Sequence, residues 1–115
     1  MTVTLHGIRN CDTVKKARLW LESQGVDYAF HDFKTQGVDD AQLQAWCDRA
    51  GWETLLNRAG TTFRKLPEAE RADLSRDKAI ALMKAQPSMI KRPVLQRGED
   101  LLVGFKPEDY ARFFG

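Results

Sequence analysis

The sequence predicts an α/β fold built on a mixed four-stranded sheet, and three observations predict it. A β-prone run, a helical pattern and a second β-prone run open the chain; helix signals without strand signals occupy its middle; a hairpin pattern and an aromatic helix close it. The order is therefore βαβ, a helical insertion over about residues 39–87, then ββα, in one domain covering residues 1–115.

Val3 to Leu5 is the first strand, ended by Gly7, and Val14, Ala17 and Leu21 then recur at helix spacing until Gly25. From Val26 to Phe33 the chain alternates in part, with Tyr28 and Phe30 set among Asp27, His31 and Asp32, which predicts a second strand over that whole segment. A strand, helix and strand in this order favour a parallel pair with a right-handed crossover. Asp39 or Asp40 caps a helix whose apolar stripe is Leu43, Trp46, Cys47 and Ala50, closed by Gly51. From Trp52 to Pro67 the signals are mixed, a short helical turn and then loop. Pro67 opens another short helix, and Ser75 is the N-cap of a helix over 76–86 that Pro87 ends. Val94-Leu95 and Leu101-Leu102-Val103 flank Arg97-Gly98-Glu99-Asp100, the sequence form of a β-hairpin, and Pro107 opens a last helix carrying Tyr110, Phe113 and Phe114. This is the plan of a thioredoxin-like domain with a helical insertion.

Hydrophobic residues are 43% and charged residues 30% of the chain, enough apolar material for one core and incompatible with wholesale disorder. No apolar run approaches the roughly 18 residues that span a bilayer, and the opening residues turn polar at Gly7 before a signal-peptide core forms. A cytoplasmic monomer with no membrane partner is the expectation. The net charge of +2 is too small for counterion release to drive nucleic-acid binding. Residues 1–57 carry 6 basic and 8 acidic side chains and residues 58–115 carry 12 and 8, so the second half is the better suited to hold an anion. Two cysteines, Cys11 and Cys47, cannot make the disulfide framework of a small secreted domain, which again points to a reducing compartment.

Cys11 sits where the loop after the first strand meets a helix, in Gly7-Ile8-Arg9-Asn10-Cys11-Asp12-Thr13. Free amide groups and the positive end of a helix dipole stabilise a thiolate there, and Arg9, Lys15, Lys16 and Arg18 against Asp12 give residues 9–18 an excess of +3. Val14 stands where a C-x-x-C pair would place its second cysteine, so that disulfide is excluded. Cys47, on an apolar helix stripe, is read as a core residue. The chemistry these residues imply is monothiol: Cys11 forms a mixed disulfide that an external thiol resolves.

A second element is Ile90-Lys91-Arg92-Pro93-Val94-Leu95, a proline at a strand entrance. A cis Arg92-Pro93 bond would leave backbone groups open to a bound peptide or thiol, whereas a trans proline would protect the strand start; the sequence allows both. Arg92 is a planar donor suited to a carboxylate or oxyanion. His6 and His31 lack partners at metal-ligand spacing, so no metal is expected; Trp20, Trp46 and Trp52 read as core or rim.

Together with Leu55-Leu56-Asn57-Arg58-Ala59-Gly60-Thr61-Thr62 and Gly104-Phe105-Lys106, these segments resemble the ArsC/Spx family of thioredoxin-like proteins, and within it the YffB-type subgroup, nearly end to end. The resemblance implies that Cys11 is the redox nucleophile and that Arg92, before a cis proline, faces it. Arsenate reductases of this family use two further arginines. Here the first position is Asn57, or Arg58 after a one-residue shift, and the second is Lys106, which lacks the bidentate fork of arginine.

The subgroup resemblance implies a glutathione-dependent thiol reductase, with glutathione as co-substrate, a small-molecule or protein disulfide as its partner, and no metal. Asn10, Thr13, Arg58, Lys91, Pro93 and Lys106 are the expected substrate-binding residues: Thr13 steadies the thiolate, and Arg58, Lys91 and Lys106, with Arg92, grip carboxylates. Two alternatives stand beside this reading. One is an arsenate reductase with an incomplete arginine set; the other is an Spx-like regulator that binds RNA polymerase, which the missing C-x-x-C pair disfavours.

Overall fold

The computed structural model describes residues 2–115, which divide into two compact units: residues up to Gln36 with Arg92–Gly115, and Gly37–Lys91. Four strands form the sheet of the first unit: β1 (Val3–Gly7), β2 (Ala29–Asp32), β3 (Val94–Arg97) and β4 (Asp100–Val103), in the order β2-β1-β3-β4. β1 runs parallel to β2 and antiparallel to β3, and β3 pairs antiparallel with β4. This mixed arrangement is thioredoxin-like. The β3–β4 hairpin closes through Gly98 and Glu99, with Arg97 opposite Asp100, and the φ of 61° at Gly98 is a conformation that glycine adopts without steric cost.

α1 (Asp12–Ser23) returns from β1 to β2 and buries Val14, Ala17 and Leu21. Its end is capped as the sequence predicts: Gly25, with φ of 71°, lets Val26 N donate to the Leu21 carbonyl at 3.0 Å. The last helix of this unit, Pro107–Phe114, begins at its proline and buries Tyr110 completely. Val3, Leu5 and Leu95 from the sheet join Val14, Ala17, Leu21 and Tyr110 in one apolar cluster. Trp20 and Phe105 pack edge-on against the Tyr110 ring, at centroid distances of 5.5 and 4.7 Å.

The second strand is shorter than its alternation predicts. It starts at Ala29, and its apolar pattern ends at Asp32, whose Oδ1 accepts from Lys34 N at 2.9 Å and so turns the chain into α2 (Phe33–Gln36). Phe33 is buried from that helical turn and not from a strand. Val26 and Tyr28 still pack against the core cluster, but from the loop before the strand.

The second unit is helical. Asp39 caps α3 (Asp40–Ala50) by accepting from Gln42 N at 2.7 Å, and Ser75 caps the helix Arg76–Ala85 by accepting from Lys78 N at 3.2 Å. Leu43, Trp46 and Cys47 of the first bury along with Ala79, Ile80 and Met83 of the second, and the two helices pack together. Arg76 ties them further: its Nη2 donates to the Gln44 carbonyl at 3.0 Å, and its Nη1 lies 2.8 Å from Asp48 Oδ1. The stretch between them forms three short helical turns, Trp52–Leu55, Thr61–Arg64 and Glu68–Arg71. A 3₁₀ turn at Pro87–Met89 follows the second helix, and Leu56 then pairs with Ile90 in a single antiparallel bridge. No described helix is long and apolar enough to cross a membrane.

Candidate functional site

Cys11 is the N-cap of α1, with extended backbone (φ −138°, ψ 123°) and its carbonyl accepting from Lys15 N at 2.9 Å. An N-cap side chain ordinarily accepts from the first helical amides; this thiol makes no such bond and is left half-buried against the apolar cluster. It therefore sits at the positive end of α1 with its sulfur uncommitted to the helix.

Local packing holds that position. A Cβ on Gly7 would lie 2.8 Å from Cγ2 of the fully buried Val14, so glycine is what allows the first turn of α1 to close onto the end of β1. Gly7→Ala is expected to cost about 1–3 kcal/mol through overpacking and to slow alkylation of Cys11, measured by urea unfolding and iodoacetamide kinetics; unchanged stability would contradict the packing argument. On the other side, Arg9 Nε pairs with Asp32 Oδ2 at 3.6 Å, a carboxylate only 9% exposed, and so anchors the cysteine loop to the end of β2. The Arg9 and Arg18 guanidinium groups lie 5.4 and 4.4 Å from the centroid of the Phe30 ring. Arg18 Nε donates to the Tyr28 hydroxyl at 3.0 Å, and that hydroxyl donates to Glu22 at 2.8 Å.

The strand register places the sequence-predicted residues of this unit at one end of the sheet. His6 pairs with Val94 and Val94 with Val103, so the chain leaving β1 towards Cys11, the Arg92-Pro93 segment entering β3 and the Gly104-Phe105-Lys106 segment leaving β4 all emerge there. The Arg92–Pro93 bond is cis, Arg92 is half-buried and Pro93 buried. Gly104 N donates to the Pro93 carbonyl at 2.8 Å, and Gly104 holds a φ of 87°, so the turn that follows β4 is bonded to the entrance of β3. Asn10, Thr13 and Lys106 are exposed.

Arg58 and Lys91 belong to the helical unit, where both are exposed and line a cavity of about 380 Å³ with Asn57. Cys47 is in that unit too, on the buried face of α3; burial pushes its thiol up, against the opposing effect of nearby Arg76. Among the described residues no group of three or more His, Cys, Asp or Glu could hold a metal ion.

Sequence reasoning missed the Arg9–Asp32 anchor and a histidine pair. The parallel register sets His6 opposite His31, with ring centroids 5.0 Å apart, and His6 is buried with Nε2 bonded to Gln96 Oε1 at 3.1 Å. Twenty-five positions separate the two in sequence, and only the register of β1 on β2 reveals the pairing.

The ArsC family profile matches residues 6–113. A solved YFFB protein is similar over 96% of this chain and 97% of its own, with 61% identity and a TM-score of 0.94. An arsenate reductase (ArsC) related protein from Brucella melitensis is 57% identical over 99% of this chain and 95% of its own, with a TM-score of 0.80. An uncharacterized protein of Haemophilus influenzae is 35% identical, covering 97% of this chain and 98% of its own.

Proposed function

The chain belongs to the ArsC family, and from that premise we propose that it is a glutathione-dependent monothiol oxidoreductase acting through Cys11. One observation carries the reading: a half-buried thiol heads α1, with no second cysteine three positions on, at the sheet end where Arg92 and cis-Pro93 also emerge. The Cys11 thiolate attacks one sulfur of a disulfide; the new bond joins Cys11 to that sulfur, and the other sulfur leaves as a thiolate that takes up a proton. A glutathione thiolate then attacks the substrate sulfur of the mixed disulfide, forming a glutathione–substrate disulfide and returning Cys11 as thiolate. Each exchange moves one electron pair and needs no metal. Arg92 and Lys106 supply positive charge for the carboxylates of glutathione, and Thr13 together with the first amides of α1 holds the negative sulfur.

The mechanism requires no resolving cysteine in the protein. Cys47→Ser is therefore expected to retain turnover of hydroxyethyl disulfide with glutathione as sole reductant, within about twofold of the parent. Loss of turnover in that variant would overturn the monothiol mechanism, and absence of turnover in the parent would overturn the glutathione dependence.

A further inference from the structure

α1 carries a face that the thiol chemistry does not use. Val14, Ala17 and Leu21 turn inward, while Lys15, Lys16 and Leu19 stand on the opposite side of the helix, all three exposed. Leu19 follows Lys15 by four positions and Lys16 by three, so the two lysines flank it on one surface. At 67% exposure it is the one large apolar side chain left in solvent among the described residues. Other cations near Cys11 are committed: Arg9 pairs with Asp32, and Arg18 donates to Tyr28 and covers the Phe30 ring. Lys15 and Lys16 make no ion pair or side-chain hydrogen bond among the described residues, not even with Asp12 one turn before them. Glu22, the next acidic residue along the helix, accepts from the Tyr28 hydroxyl. Two unpaired ammonium groups and an exposed leucine therefore begin about one turn from the cysteine that heads the same helix.

That surface has a chemical complement. A lysine attracts a carboxylate as a point charge, and an exposed leucine gains when a second apolar side chain covers it. With a rise of about 1.5 Å per residue, Lys15 and Lys16 lie about 6–8 Å along the helix from Cys11, and Leu19 about 12 Å. An extended chain advances about 3.4 Å per residue. A peptide joined to Cys11 through its own sulfur and lying along α1 thus sets its second and third residues beyond that sulfur against the lysines, and its fourth against Leu19. We infer that the outer face of α1 docks a protein substrate, a segment with acidic side chains two or three residues from its reacting sulfur and an apolar residue at the fourth. Lys15 and Lys16 meet the carboxylates, and Leu19 meets the apolar side chain. The inference rests on Cys11 as the reactive thiol and adds a substrate class to that reading.

Activated peptides test it. Two peptides carry a 2-thiopyridyl disulfide on their cysteine and leucine at the fourth position beyond it; one has glutamate and the other lysine at the second and third. The Cys11 thiolate attacks the peptide sulfur, the new bond joins Cys11 to the peptide, and pyridine-2-thiolate leaves and is read by its absorbance. At low salt the full chain should react with the acidic peptide about tenfold faster than with the basic one, and the ratio should fall towards one in about 0.5 M salt. Each ratio is read within one protein, so a change in the thiol itself cancels. K15E/K16E should reverse the ratio, and L19S should cancel an advantage of about fivefold for leucine over serine at the fourth position. The substituted side chains are exposed, and matching thermal melts would show that the variants fold. Equal rates for the two peptides, or an acidic preference that K15E/K16E leaves intact, would overturn the inference. So would phosphatidylglycerol vesicles that bind the parent and not K15E/K16E while the peptides react alike, a result that assigns the face to lipid. In parallel, 2,2′-dithiodipyridine, small and uncharged, reports on Cys11 alone. Failure to modify Cys11 with that probe would count against the thiol reading, whereas normal modification with no peptide selectivity would count against the docking face only.

Discussion

Cys11→Ser is expected to lower glutathione-coupled disulfide reduction by at least about 10³-fold, to the rate of the uncatalysed exchange. Serine preserves the extended N-cap geometry and is a better cap than cysteine, so the helix it heads should hold or gain stability. What it removes is the only sulfur in the described residues of the sheet unit, and with it the covalent intermediate. The measurement is steady-state turnover of hydroxyethyl disulfide alongside a thermal melt of both proteins. An unchanged melt with lost turnover assigns the chemistry to the sulfur; retained turnover would mean that the activity resides elsewhere.

The second large effect is on stability in acid. His6 is 3% exposed, and its pKa is lowered from 6.5 to about 4, chiefly by burial and in part by the facing His31 ring, with the bond to Gln96 working in the opposite direction. Phe33 completes the wall around it. Because the folded value lies below the unfolded one, the unfolded chain binds the extra proton between them. The stabilisation is therefore complete above about pH 6.5 and is lost as the pH falls towards 4, and the gap corresponds to about 3 kcal/mol. Urea unfolding at several pH values should show that decline, and His6→Gln should flatten it across the same window. An equal slope in the variant would assign the acid sensitivity to other groups.

Much of the fold was legible because its signals are local. Gly25, Asp39, Ser75, Pro87 and Pro107 each act through their own backbone geometry or a single short hydrogen bond, so they mark element ends without knowledge of the partners. Cys11 was legible for the same reason, since its place between a strand and a helix follows from the residues around it. The end of β2 was not. The alternation carries on through Phe33, but the Asp32 side chain accepts from the Lys34 amide and starts a helical turn, a choice that periodicity does not encode. The His6–His31 pair needs the register of two strands, and the Arg58–Lys91 cavity needs a one-residue bridge, which has no repeating pattern to read. The cis state of Arg92–Pro93 was left open by its residues and is settled only by the geometry of the strand entrance.

In the monothiol mechanism Cys11 is the reactive thiol and Cys47 a core residue. Incubation with oxidised glutathione at neutral pH, followed by intact mass and peptide mapping, tests it most directly. One glutathione per chain is expected, bonded to Cys11 and released by added glutathione, with Cys47 unmodified because it is buried and burial pushes its thiol up. A chain that stays unmodified, or one in which Cys47 takes up glutathione first, would contradict it.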